Sequence, residues 1–473
     1  MPLLLKDFRV NDFSGRRTVY SKIKRITDSG FDTSNDYFSK NFTKLLGINN
    51  ESLTKDYFSS SCHDILYVSK LGIHVACGNN WYRDTRSRAS TFLYSEDNGV
   101  SWTFSDDTFE FQGGFTGSAT GLILSNDTIF CSGIGGTLAN PQALMSSVDG
   151  KNWTNVSTPF NIITKMSTDG SGTIIVAGTN NSSGETVVCI SVDNGTTWTD
   201  LTHLTSFSNI TDIIPIFSND RFFIGFYTTT SNSAEIYTSV NLTSWTQVTF
   251  TDGTTNITPQ LSGILNGVYY SSVINRYILY LGFNWDKAGY APAYYSDDGI
   301  NFTVSGGINE QVYDVTNVSY DDSANSFYLS VKYPISLPNP DGLTIMYKSP
   351  DGEAWQSFLT GDSVVPGFKN ILGISQFYID NSGDIHAIGV YGRVSAGDNT
   401  YFSTGLINIT INAYINKPDP ILLDGETCSK LLYNNSTFLV GMQYGTSRLS
   451  IANSIYYTND SLILQPTEHQ DAV

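Results

Sequence analysis

From about Cys62 onward, short apolar runs alternate with turn residues, and the runs come in sets of four. The first set has an apolar strand at DILYVS, a turn, a second strand at HVACGN, a variable loop and a third strand at TFLYS. The turn EDNG and a fourth strand at SWTFS complete it. Farther along, ITDIIPIF, RFFIGFY, AEIYTS and SWTQVTF repeat the order. Apolar runs of four to eight residues bounded by Gly, Asn, Asp and Ser read as strands joined by hairpins. Four antiparallel strands per period predict the blade of a β-propeller.

The third strands centre on Tyr94, Met145, Ile190, Tyr237, Tyr295, Tyr347, Phe402 and Tyr457, at steps of 45 to 58 residues. The count predicts an all-β protein of eight four-stranded antiparallel blades over residues 62–465, with seven blades as the alternative. Residues 1–61 lack the repeat and read as an N-terminal extended and helical arm, and 466–473 as a C-terminal tail. Within the arm, Thr18–Ile26 has strand character and could add to the last blade, closing the ring. The stretch SNDYFSKNFTKLLGI sets Phe38, Phe42, Leu45 and Leu46 on one side of a short helix.

One turn recurs between third and fourth strands. It reads SEDNGVSW at Ser95–Trp102, SVDGKNW at Ser147–Trp153, SVDNGTTW at Ser191–Trp198, SDDGINF at Ser296–Phe302 and SPDGEAW at Ser349–Trp355. Asp and Ser side chains accept backbone N–H groups of their own turn. Gly supplies the positive φ, and the aromatic buries a large area on the next strand. The expected staples are therefore Ser95, Asp97, Gly99 and Trp102; Ser147, Asp149, Gly150 and Trp153; Ser191, Asp193, Gly195 and Trp198; Ser296, Asp298, Gly299 and Phe302; and Ser349, Asp351, Gly352 and Trp355. SVNLTSW at Ser239–Trp245 has lost the Asp and the Gly, and TNDSLIL at Thr458–Leu464 is degenerate.

These turns resemble the Asp-box, or BNR repeat, of sialidase-like β-propellers. The resemblance covers most of the chain after residue 61 and implies the fold. It implies no single activity, because the propellers that share the turn do unrelated things. Sialidases of this type carry an Arg-Ile-Pro, three arginines that grip a carboxylate, a Tyr–Glu nucleophile and an Asp acid/base. Here there is no Arg-Ile-Pro, and only Arg221, Arg276, Arg393 and Arg448 follow Arg88. Glycoside hydrolysis in general needs two carboxylates some 5–9 Å apart. Asp64, Asp212 and Asp314 stand near the starts of first strands, beside the expected central channel, as candidates or as strand caps. No phosphate-binding loop, nucleophile elbow or metal-binding Cys/His spacing is present, so no catalytic residue, metal site or cofactor is assigned.

Composition narrows the partners. The chain has 473 residues, 15% of them charged, 13% aromatic, with a net charge of −18. Such an excess of acid argues against nucleic acid held through a general phosphate field. The charge is uneven: residues 1–25 carry +5, through Lys6, Arg9, Arg16, Arg17, Lys22, Lys24 and Arg25 against Asp7 and Asp12, and the remainder carries −23. Arg9, Arg16, Arg17, Lys22, Lys24 and Arg25 are the expected docking residues of the arm. Cys77, Cys131 and Cys189 fall inside apolar runs and read as buried thiols, without a disulfide frame. With no leader and no apolar run of spanning length, synthesis and assembly in a reducing cytosol are expected, without membrane insertion.

Loops between second and third strands vary most and open on the face opposite the Ser/Asp/Gly turns. They concentrate residue types enriched at binding hot spots: Trp81, Tyr82, Arg83, Arg86 and Arg88; Trp285, Lys287 and Tyr290; Tyr333; Tyr391 and Arg393. The reading is a non-enzymatic binding propeller, a structural part of a viral particle such as a bacteriophage tail. It would contact other virion subunits through the arm and a host glycan or surface receptor through the loops. A divergent sialidase-like hydrolase and an assembly factor are the alternatives.

Overall fold

A computed structural model describes residues 57–82, 88–99, 101–105, 118–134, 136–137, 140–141, 143–205, 209–228, 233–251, 256–257, 263–283, 293–308, 314–333, 343–360, 371–380, 383, 385–394, 400–409, 422–423, 427–434, 437–443, 455–459, 465–466 and 468–470. The expected helix, the Thr18–Ile26 strand and the arm's basic docking residues lie outside these. Residues 54–473 form one compact unit. Among the described residues no helix is long and apolar enough to cross a membrane.

The described strands group into eight successive four-stranded antiparallel meanders, each a propeller blade. Blade 1 comprises Tyr57–Val68, Ile73–Tyr82, Arg88–Ser95 and Ser101–Phe104. Blades 2 to 8 begin with the first strands Ser118–Ser125, Phe160–Thr168, Asp212–Ser218, Gly263–Ser271, Asp314–Asp321, Ile371–Ile379 and Thr427–Asn434. Second strands are the most buried, as in Ser326–Lys332, because the sheet and both neighbouring blades cover them. Large aromatic and β-branched residues fill the space between blades, where Tyr328, Phe223, Phe226 and Phe327 are fully enclosed.

Each Ser/Asp/Gly turn is built as its chemistry predicts. Ser95 Oγ donates to Asp97 Oδ1 at 2.8 Å and accepts the Gly99 N–H at 2.8 Å. The turns at Ser147, Ser191, Ser296 and Ser349 repeat both bonds. Aspartate then caps the following residues: Asp298 Oδ1 accepts N–H from Ile300 and Asn301, both at 2.8 Å. The altered turn of blade 4 keeps this geometry. Asn241 stands in for the aspartate, accepting from Thr243 and Ser244, while Leu242 takes the left-handed conformation at φ +64°. That backbone costs a non-glycine residue about 1 kcal/mol.

These turns also join neighbouring blades. A Cβ on Gly352 of blade 6, at φ +78°, would fall 2.3 Å from Cδ1 of Ile278 in blade 5, so any side chain there must push the isoleucine tip aside. Ser305 Oγ, at the end of blade 5, donates to Gly352 O at 2.7 Å, as Ser105 does to Gly150 O of blade 2 at 3.0 Å. Trp153 of blade 2 stacks on Phe92 of blade 1, with ring centroids 4.3 Å apart.

The expected tail at 466–473 behaves differently. Glu468–Gln470 adds in parallel to Ser101–Thr103, the outer strand of blade 1. The same link recurs inside the ring, where Thr249–Thr251, leaving blade 4, pairs in parallel with Asn301–Thr303 of blade 5. Last and first blades are thus joined as internal neighbours are, and Leu439 of blade 8 completes the apolar cluster of Cys62, Ile65, Leu93 and Trp102.

Candidate functional site

First strands are the inner edge of every blade, and an open edge presents unpaired N–H and C=O groups. Seven of the eight described first strands carry a register shift at one level, where one extra residue is accommodated. The extra residues are polar: His63, Thr120, Thr164, Asn266, Thr316, Ser375 and Ser429. Bulges bend an edge and discourage further pairing. Blade 4 has no shift there and instead carries Pro215, which has no N–H to offer.

Side chains at this level reach across to the next blade's backbone. Thr316 Oγ1 of blade 6 donates to Ile374 O of blade 7 at 2.6 Å, and Asn266 Nδ2 of blade 5 to Val315 O of blade 6 at 2.7 Å. Gln376 Oε1 of blade 7 accepts the Leu431 N–H of blade 8 at 2.6 Å. A polar belt therefore stitches the channel wall while satisfying groups that the bulges free.

The three carboxylates singled out beside the channel take part in this wall. Asp64 accepts the N–H of Ile65 and, through Oδ2, that of Leu122 in blade 2 at 2.9 Å. Its Oδ1 lies 3.2 Å from Lys430 Nζ of blade 8, so one side chain ties three consecutive blades. Asp212 caps Ile213, and burial raises its pKa, with the Ile213 N–H and Lys165 opposing. Asp314 packs against Gly282 of blade 5, whose added Cβ would sit 3.0 Å from Asp314 Oδ1. These carboxylates stand on blades 1, 4 and 6, no two of which are neighbours. Among the described residues no group of three or more metal-ligating side chains comes together.

One Tyr–Glu contact escaped the sequence reading. Tyr237 OH donates to Glu235 Oε2 at 3.2 Å on a third strand, away from the channel. Burial, reinforced by Glu235, pushes the phenol up to about 12, the opposite of what a tyrosine nucleophile requires. The i, i+2 spacing on one strand face was the available signal. Arg221 and Arg276 serve blade contacts on the turn face: Arg276 pairs with Asp297 at 2.7 Å and Glu353 at 2.8 Å, bridging blades 5 and 6.

Of the loop residues expected to bind, Arg83, Arg86, Trp285, Lys287 and Tyr290 lie outside the described residues. Trp81 and Arg88 are paired across the second and third strands of blade 1, with Tyr82 at the strand's end, so that hairpin extends to the loop. Tyr391 and Arg393 pair with Ser403 and Tyr401 on the corresponding hairpin of blade 7. Tyr333 departs from expectation. It is fully buried and donates its hydroxyl to Thr344 O at 2.8 Å, folding back onto its own blade rather than facing a ligand. Cys62, Cys77, Cys131 and Cys189 are buried and form no disulfide among the described residues.

No protein-family profile matches the chain, and no curated protein sequence does. Solved structures with similar folds include the β-propeller domain of the Trilobed protease from Pyrococcus furiosus. It is 12% identical, with a TM-score of 0.40, over 76% of this chain and 97% of that one. A structure from a study of two prolyl endopeptidases is 11% identical, with a TM-score of 0.47, over 86% of this chain and 60% of that one. The phage phi92 endosialidase is 12% identical, with a TM-score of 0.36, over 77% and 69%. Several of these neighbours are enzymes, but likeness at this level carries no conclusion about activity.

Proposed function

We propose that this chain is a binding propeller rather than a hydrolase, acting as a structural and attachment component of a viral particle. The observation that carries the non-enzymatic reading is the use of the channel carboxylates as wall contacts, with Asp212 capping Ile213 and Asp314 packed on Gly282. A glycosidase needs its two carboxylates together, about 5–9 Å apart. Asp64 is further engaged by two backbone N–H groups and Lys430, a lock between blades. The virion reading is supported by the polar, low-charge composition, the basic segment 1–25 and buried thiols that suit assembly in a reducing compartment. The loops that hold Trp81, Arg83, Arg86, Arg88, Trp285 and Lys287 are the ligand-facing surface in this reading, with a host glycan or receptor as target.

A glycoside hydrolase is the second reading, favoured by Asp212, whose burial raises its pKa as a general acid requires. Incubation with a panel of sialylated and neutral glycans separates the two. Retention without release of sugar, lost on Trp81→Ala with Arg86→Ala, supports binding. Sugar release abolished by Asp212→Asn establishes the hydrolase. Failure to retain any glycan, with incorporation into particles intact, moves the target to a protein.

A further inference from the structure

The face carrying the Ser/Asp/Gly turns holds more than staples. At the residue after the turn serine, blades 2, 3 and 4 present Val148, Val192 and Val240, exposed to 70%, 65% and 54%. The turn's hydrogen bonds run through the serine, the Asp or Asn, and the backbone, so this side chain is not needed for the staple. Glu96, Asp297 and Pro350 occupy the same position in blades 1, 5 and 6. Single exposed valines are ordinary on protein surfaces. Three at one register on consecutive blades make a row.

Hydrogen bonds join the turns of blades 2 and 3 beside the first two valines. The Asn126 N–H of blade 2 donates to Gly170 O of blade 3 at 2.9 Å, and Asn194 Nδ2 of blade 3 to Thr128 Oγ1 of blade 2 at 3.2 Å. At one end Val148 and Leu71 line a shallow groove of about 210 Å³ with Lys70, Asn126 and Asp127. Carboxylates flank the valines: Asp149 and Asp193 follow them directly, and Asp127, Asp169 and Asp220 lie on the adjoining turns. Lys70 and Lys151 are already bound to Asp127 and Glu96, and Arg221 of blade 4 lies against Gly299 and donates to Thr238 Oγ1. The surface thus combines spaced aliphatic contacts with an excess of negative charge.

We propose that this row docks an extended basic segment of a partner protein, its aliphatic side chains on the valines and its Lys or Arg on the flanking carboxylates. Stacked sheets stand about 10 Å apart, so three blades span roughly 20 Å or more, the reach of six to eight extended residues. Charge complementarity selects a cationic partner and rejects an acidic one. The contact is on the face opposite the glycan-facing loops, so its failure leaves the proposed function untouched.

The probe is a fluorescein-labelled twelve-residue peptide, Lys-Ser-Leu repeated four times, titrated into the full chain and followed by anisotropy. Saturable binding is expected, weakened about tenfold by the triple variant Val148→Thr, Val192→Thr, Val240→Thr, which preserves β-branching. Val192→Thr alone provides a milder second variant, and an unchanged melting temperature shows that each is folded. Val273→Thr, an exposed valine of blade 5, is expected to change affinity less than about twofold. Absence of saturable binding overturns the proposal. So does a loss below about threefold in the triple variant, or equal affinity for the peptide with Glu replacing Lys.

Discussion

Gly99 sets its bare Cα against Leu439: a Cβ there would lie 2.3 Å from the leucine Cδ2, at a backbone φ of +83°. The third-to-fourth-strand turn of the first blade is thereby keyed into the second strand of the last. Alanine at Gly99 combines left-handed strain with overpacking, and about 2–4 kcal/mol of stability should be lost. Gly72, also at positive φ but with nothing within 4 Å of an added Cβ, isolates the strain component, about 1 kcal/mol. Chemical denaturation of Gly99→Ala and Gly72→Ala should show the first to be clearly worse. Equal losses would mean that the contact with Leu439 contributes nothing.

Acid should weaken the fold in two windows. His74 is buried, neither ring nitrogen has a hydrogen-bond partner among the described residues, and burial lowers its pKa to about 4, opposed by Asp97. The unfolded chain takes up this proton near pH 6.5 and the folded chain does not. Stability fully present above pH 6.5 is therefore lost as pH falls towards 4, by up to about 3 kcal/mol. His74→Leu, matching Ile129 and Ile174 opposite the equivalent serines, should abolish this window in melting curves recorded from pH 7 to 4.

A second acid window comes from the turn aspartates. Burial pushes Asp149 and Asp298 up, but hydrogen bonds from the residues after them win and hold both at about 2; the Thr197 hydroxyl and N–H hold Asp193 there as well. These folded-state values lie below the unfolded one, so the stabilisation exists above pH 4 and disappears as pH falls through 2. Asp298→Asn should shrink the loss below pH 4 while leaving the His74 window intact. An unaltered acid profile in that variant would refute the assignment.

The polar belt predicts a chemically specific defect. Thr316→Val removes the donor to Ile374 O and the hydroxyl paired with Ser330 Oγ, and leaves a carbonyl between blades 6 and 7 unsatisfied, at a cost of about 1–3 kcal/mol. Thr316→Ser keeps the hydroxyl and should retain most of the stability. If Val and Ser variants melt together, the hydroxyl plays no part in holding the blades.

Much of the ring was legible because each period repeats one set of local rules. The eight third-strand centres read from the sequence all fall within observed third strands, and Ser95, Asp97, Gly99 and Trp102 form the hairpin their chemistry predicts. What joins one blade to the next was less legible. That Gly352 must meet Ile278, or that Asp64 must cap Leu122 and meet Lys430, depends on residues far apart in sequence. The bulge residues His63, Thr120 and Thr316 interrupt strand alternation by a single polar position, a signal too small to separate from an ordinary edge residue. Tyr333 misled because its neighbours are loop-like, whereas the carbonyl that takes its hydroxyl lies beyond the loop, at Thr344. The valine row was hidden in plain view inside a motif whose other residues account for its shape.

The pairing of Glu468–Gln470 with Ser101–Thr103 has a consequence for the order of synthesis. Blade 1 leaves the ribosome long before the residues that cover its flank exist. Until Leu439 and the 468–470 strand follow, its Gly99 notch and the apolar set of Cys62, Ile65, Leu93 and Trp102 stay uncovered on one side. A nascent chain is therefore sticky for most of its elongation, and a chain stopped short of residue 468 keeps that flank as a handle for chaperones and proteases. Quality control could thus tell a closed ring from an unfinished one by that single exposed edge.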